Sequence, residues 1–161
     1  MKTMDKEMIV KEIDVAEEKP KIARRILEAL PDWFGIKESR EEYIENSADE
    51  IMIASFACDT PNGFLCLKQT GAQTVEIAVM GVLKEYHRSG VGKALFSKAK
   101  EIAIAKGYEF MQVKTVKMGV YEDYDKTNLF YRSLGFKEFE VFPLLWDEAN
   151  LCQIYVMSLK R

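Results

Sequence analysis

Residues 75–96 read VEIAVMGVLKEYHRSGVGKALF. An apolar run, Val75–Leu83, gives way to a short polar stretch, Lys84–Ser89, then to two glycines one residue apart, Gly90 and Gly92. Beyond them Val91, Leu95, Ala99 and Ile102 recur at helical spacing, while Lys93, Lys100 and Glu101 can point to water. The pattern predicts a strand that turns into a helix over 90–106. A P-loop requires G-x-x-x-x-G-K-[ST]. Placing Gly92 and Lys93 in that register puts the first glycine at His87 and the hydroxyl at Ala94, so the motif fails twice. The dinucleotide pattern G-x-G-x-x-G fails at Leu95. Two readings of the segment remain. The unpaired amides of a helix start, with Arg88 and Lys93 nearby, can hold an anion. Equally, glycines at a helix start can simply relieve crowding against a sheet.

Working outward, a first strand is predicted at 8–13 and an amphipathic helix at 19–30, carried by Ile22, Ile26, Leu27 and Leu30 and ended by Pro31. A loop containing Asp32, Trp33 and Phe34 follows, and Ser39 is placed to cap a second helix over 40–48. Strands are expected at 51–58, 63–70 and 73–83, the first two separated by the turn signal Asp59–Gly63. After the 90–106 helix, stopped by Gly107, come a strand at 109–116, a polar connector at 117–125, and a helix at 126–134 with Gly135 at its end. Two last strands are expected around 136–145 and 152–160. The order β-α-α-β-β-β-α-β-α-β-β predicts an α+β domain, helices on one mixed, mostly antiparallel sheet of about seven strands.

The chain has 161 residues, 48% hydrophobic and 30% charged, with a net charge of −3. That length and balance predict one globular domain over 1–161, with residues 1–7 a flexible N-terminus. Mild acidity argues against an electrostatic nucleic-acid binder and is compatible with an amine substrate. Cys58, Cys66 and Cys152 form neither a disulfide framework nor a zinc pattern, and no metal is expected. Cys58 and Cys66 lie in apolar runs, where a buried thiol is the simplest reading. No stretch approaches the roughly 18 apolar residues of a membrane span, and the N-terminus shows no signal-peptide run, so no membrane association and a cytoplasmic location are expected.

The 75–96 stretch resembles the central motif of the GNAT acetyltransferase superfamily, in which a strand runs into [Gln/Arg]-x-x-Gly-x-[Gly/Ala]. FYRSLGF at 130–136 resembles that family's second signature, a helical tyrosine followed by Gly-Phe, and the element order matches from residue 8 onward. His87 stands where the family has Gln or Arg, and Tyr124 where it often has an asparagine. The resemblance implies acetyl-coenzyme A as cosubstrate. Its pyrophosphate would lie on the loop His87, Arg88, Ser89, Gly90, Val91, Gly92 and Lys93. Its pantetheine arm would lie along Met80, Gly81 and Val82, with Asn128 as a substitute for the missing asparagine contact.

For the chemistry, the resemblance implies Tyr131 as the acid for the leaving thiolate and Glu76 as the base for the amine, in direct transfer through a ternary complex. It also implies that Asp32, Trp33 and Phe34, with the turn near Trp146–Glu148, contribute to the acceptor site. Glu122, Asp123 and Asp125 would suit a cationic amine. The expected acceptor is a primary amine of a small molecule or peptide, its identity open. The alternative is a catalytically idle domain of the same fold that binds acyl-coenzyme A as a sensor or interaction module. Dimers are common in the family, so a homodimer is among the expected assemblies.

Overall fold

A computed structural model describes residues 8–160; the expected flexible segment 1–7 lies outside them. The elements are β1 (Met8–Glu12), α1 (Glu18–Glu28), α2 (Lys37–Asn46), β2 (Ile51–Ala57), β3 (Thr60–Gln69), β4 (Thr74–Val82), α3 (Val91–Ala105), β5 (Phe110–Val116), α4 (Glu122–Ser133), β6 (Lys137–Asp147) and β7 (Asn150–Ser158). Single 3₁₀ turns at Ser47–Asp49 and Lys84–Tyr86 complete the order. The strands form a seven-stranded sheet in the order β1-β2-β3-β4-β5-β7-β6. β4 and β5 pair parallel, while β1–β2, β2–β3, β5–β7 and β6–β7 pair antiparallel. The predicted α+β class and element order both hold.

The chain divides into two compact units. The first runs through Lys68 and includes Ala78–Ile102. Its core joins Ile22, Ile26, Leu27 and Leu30 from α1 to Met52 and Ala54 of β2, Phe64 and Cys66 of β3, and Val79 of β4. The period-3.6 stripe read on α1 is the face that buries. Two glycines let helices lie close to the strands. A Cβ on Gly81 would stand 3.0 Å from Ile26 and 3.1 Å from Leu30; one on Gly63 would stand 3.1 Å from Val91 and 3.2 Å from Leu95. The second unit, Gln69–Ile77 with Ala103 onward, contains β5, α4, β6 and β7. Met111, Val113, Phe136, Tyr155 and Met157 are buried in it.

Several expected boundaries move. The turn between β2 and β3 is Cys58–Asp59, both with positive φ (51° and 66°), rather than Asp59–Gly63. Ala57 pairs directly with Thr60, so this is a two-residue hairpin whose twist requires left-handed central residues. Pro61 is accommodated inside β3 opposite a register shift at Ser55/Phe56. Cys58 is therefore exposed, correcting its expected burial, while Cys66 is buried. α2 starts before Ser39, which does not cap it; its N-cap position is Ile36, without a side-chain cap. α1 ends at Glu28, ahead of Pro31, in turns closed by Ala29 and Leu30 amides on Ile26 and Leu27 carbonyls. The polar connector is shorter than expected because Glu122, Asp123 and Asp125 form the first turn of α4. Carboxylates there are favoured by the helix dipole. Asp125 also accepts the Gly119 amide at 2.7 Å.

Two outcomes follow for experiment. Gly81→Ala should lower stability by about 1–3 kcal/mol in urea denaturation, because α1 must shift or Ile26 and Leu30 must leave their rotamers; an unchanged midpoint refutes the close approach. Burial raises the Cys66 and Cys152 thiols above their ordinary range, which suppresses their thiolates. Mild iodoacetamide treatment of the native protein should label Cys58 alone, with Cys66 and Cys152 joining it only in denaturant.

Candidate functional site

In the first unit the glycine stretch forms a tight, self-bonded loop. The Tyr86 and His87 amides donate to the Leu83 and Lys84 carbonyls at 2.9 and 3.0 Å. The Ser89 hydroxyl donates to the Tyr86 carbonyl. Arg88 takes φ = 64° and Gly90 φ = 86°, the left-handed values that turn the chain into α3. The first helical bond runs from the Ala94 amide to the Gly90 carbonyl at 3.0 Å. The amides of Val91, Gly92 and Lys93 therefore precede the first one that the helix can pair. A Cβ on Gly90 would meet nothing within 4 Å. Gly90 is needed for its backbone conformation, and the space beside it is open. Arg88 and Lys93, both exposed, add positive charge where the helix dipole is already positive. Such an arrangement is able to accept an anion.

The other first-unit residues fall around this loop. Gly81 is buried beneath α1, and Met80 is half-buried. The Val82 carbonyl is committed to His87, whose Nε2 approaches it to 2.7 Å. Asp32 accepts from Lys84 Nζ at 2.6 Å, and the Trp33 ring meets His87 edge-on at 5.7 Å. Phe34 packs edge-on against Tyr43 of α2 at 5.9 Å. Of the three residues expected at an acceptor site, two thus lie against the glycine loop. Lys84 went unnoticed in the sequence, where an exposed lysine carries no signal.

In the second unit, four residue pairs join β4 to β5, from Thr74↔Phe110 to Ile77↔Val113. Glu76 lies opposite Gln112 and, by strand alternation, on the same face as Lys114. Lys114 Nζ donates to Glu76 Oε1 at 3.1 Å, and the glutamate is only 5% exposed. This pairing, invisible in the sequence, keeps a buried carboxylate from being isolated. Cys152 lies within electrostatic reach of both, and burial is the main reason its thiol is pushed up.

Tyr131 lies on the opposite face of this ladder. Val113 stands opposite Tyr155 in the β5–β7 register, and α4 covers that face. The Tyr131 ring packs 5.8 Å from Phe136 and 6.3 Å from Tyr155, and the residue is 7% exposed. Asn128, expected to reach the cofactor, is fully buried. Its amide nitrogen donates to the Val116 carbonyl at 2.9 Å and the Tyr124 carbonyl at 2.7 Å, and its oxygen accepts the Tyr155 hydroxyl at 2.6 Å. Its observed work is to anchor α4 on β5 and β7. Among the described residues no group of three or more His, Cys, Asp or Glu is arranged to hold a metal.

Residues 47–138 match the family described as Acetyltransferase (GNAT) domain. Comparison with curated protein sequences finds no match. Solved structures share the fold. A GNAT-family protein from Desulfovibrio desulfuricans superposes with a TM-score of 0.85 at 18% identity, over 96% of this chain and 100% of that one. An aminoglycoside 6'-N-acetyltransferase complexed with coenzyme A gives 0.73 at 17% identity, over 95% and 98%. The ribosomal-protein-S18-alanine N-acetyltransferase of Escherichia coli gives 0.74 at 14% identity, over 96% of each chain. At these identities the likeness is one of fold.

The anchoring assigned to Asn128 predicts that Tyr155→Phe, which leaves the Asn128 oxygen buried without its donor, costs about 1–3 kcal/mol in urea denaturation. A variant as stable as the parent would refute that role.

Proposed function

The chain belongs to the GNAT acetyltransferase family, and from that premise we propose that it moves an acetyl group from acetyl-coenzyme A to a primary amine. The observation that carries this reading is the cradle at Arg88–Lys93: a left-handed glycine, open space beside it, and three helix-start amides. A diphosphate suits it better than a neutral group, because both the dipole and the two cationic side chains favour negative charge. The pyrophosphate of coenzyme A is the diphosphate proposed for it. Met80, Gly81 and Val82 are assigned the pantetheine arm. The four-pair β4–β5 register ends at Ile77, so that ladder does not pair the backbone from Ala78 to Val82, whose last carbonyl accepts from His87. Three unbridged thiols suit a reducing compartment, and the cytoplasm is the compartment proposed.

Transfer proceeds without a covalent enzyme intermediate. The amine nitrogen attacks the thioester carbonyl, a C–N bond forms, the C–S bond breaks, and coenzyme A leaves as thiolate. Glu76 is assigned the proton lost by the amine, and Tyr131 the proton gained by the sulfur. The acceptor belongs to the broad class of small-molecule or peptide amines, and homodimerisation is part of the proposal.

A second reading has its own support. Glu76 is held by Lys114, and Tyr131 is packed among aromatic rings, which favours an idle acyl-coenzyme A binder. A screen of amines following release of free coenzyme A separates the two. The enzyme reading predicts turnover with at least one amine, and a loss of roughly 10²-fold or more in Tyr131→Phe with coenzyme A affinity kept. Binding without turnover across the screen assigns the protein to the idle class. Absence of coenzyme A binding by calorimetry defeats both.

A further inference from the structure

Two first-unit segments far apart in sequence, the loop after α1 and the loop after β4, meet through four side chains. Lys84 Nζ lies 2.6 Å from Asp32 Oδ2 and 5.7 Å from the Trp33 ring centroid, and the Trp33 and His87 rings meet edge-on at 5.7 Å. His87 then bonds the Val82 carbonyl at 2.7 Å. A carbonyl oxygen carries no proton, so His87 Nε2 is the donor. That bond bridges the last residue of β4 to the residue preceding Arg88, where the left-handed turn toward α3 begins. Trp33 itself packs against the apolar core beneath α1.

We propose that Asp32, Trp33 and Lys84 are positioning residues for the glycine loop. They seat the His87 ring on the Val82 carbonyl and so hold the loop in the form that presents the first amides of α3. The proposal rests on the coenzyme A reading above and reassigns Asp32 and Trp33 from acceptor contacts to a latch on the cofactor loop. The physical reason is preorganisation. An exposed loop ordered only by its own short bonds must be fixed when the ligand arrives, and that ordering is subtracted from the binding free energy. Each tie is weak alone, since a half-exposed ion pair is screened by water and salt. Linked through one tryptophan seated on the core, they order the loop before binding.

The test is calorimetric titration of coenzyme A into the full chain and its Trp33→Ala, His87→Ala and double variants. Each single change should raise the dissociation constant about three- to ten-fold, the size of one aromatic contact. The double variant should be little worse than either single one, because the second cut finds the latch already open. Lys84→Met, at an exposed position, should act in the same direction and serves if Trp33→Ala does not fold. Trp33→Phe should restore most of the affinity. The chain has one histidine, so its imidazole NMR signals are unambiguous. A protected Nε2 proton in the parent should exchange faster once Trp33 is removed.

Folded Trp33→Ala and Lys84→Met proteins that bind coenzyme A like the parent overturn the proposal, as do strictly additive single effects. A parent that does not bind coenzyme A overturns the functional reading instead. The latch then stands or falls on the imidazole signal, and an Nε2 proton indifferent to Trp33 sinks it.

Discussion

The first unit depends on how closely two helices can approach its strands. At Gly81 and Gly63 there is room for a hydrogen but not for a methyl group without movement of Ile26, Leu30, Val91 or Leu95. Interiors are packed densely enough that such contacts act as stops. With α1 pressed on Gly81, Leu30 is buried at the end of the helix run and Trp33 and Phe34 come down onto the same apolar cluster. With α3 pressed on Gly63, its first turn is fixed, and with it the amides that face away from the helix body. The geometry of the glycine loop is thus a consequence of packing: the groups it presents are backbone amides, and only the placement of α3 aims them.

The two units solve different electrostatic problems. Around the glycine loop the charges are exposed and the structure gathers positive potential from a helix start, Arg88 and Lys93. In the second unit the polar groups are buried and must be satisfied internally. Asn128 makes three hydrogen bonds, Tyr155 joins α4 to β7, and Lys114 accompanies Glu76. Buried polar groups left alone are costly, so the bonds of Asn128 and Tyr155 help fix the position of α4.

Much of the architecture is legible in residue patterns. The apolar stripe on α1, the glycines that close α3 and α4, and the strand-to-helix junction at 83–91 all reflect local rules of spacing and backbone freedom. Boundaries slipped where tertiary pairing overrode local signals. Pro61 reads as a turn residue, yet β2 pairs through it because a register shift opposite absorbs it and Cys58–Asp59 can adopt the left-handed turn. The acidic run at 122–125 reads as connector because charge suggests solvent, whereas a helix start welcomes it. Ser39 reads as a cap, but the helix begins earlier, where Ile36 has no side-chain acceptor to offer.

The order of elements, the failure of both nucleotide motifs and the conformational freedom at Gly90 can be read from residues alone, because each depends on neighbours within a few positions. The partners come from the folded arrangement alone. Lys114 meets Glu76 because the β4–β5 register places Gln112 opposite Glu76 and alternation carries Lys114 to the same face. Asn128 became an anchor because α4 lies over Tyr155, and Asp32 found Lys84 across 52 positions of chain. Such pairings are set by strand register and helix placement, which integrate packing over the whole fold, and no local window of residues contains that information.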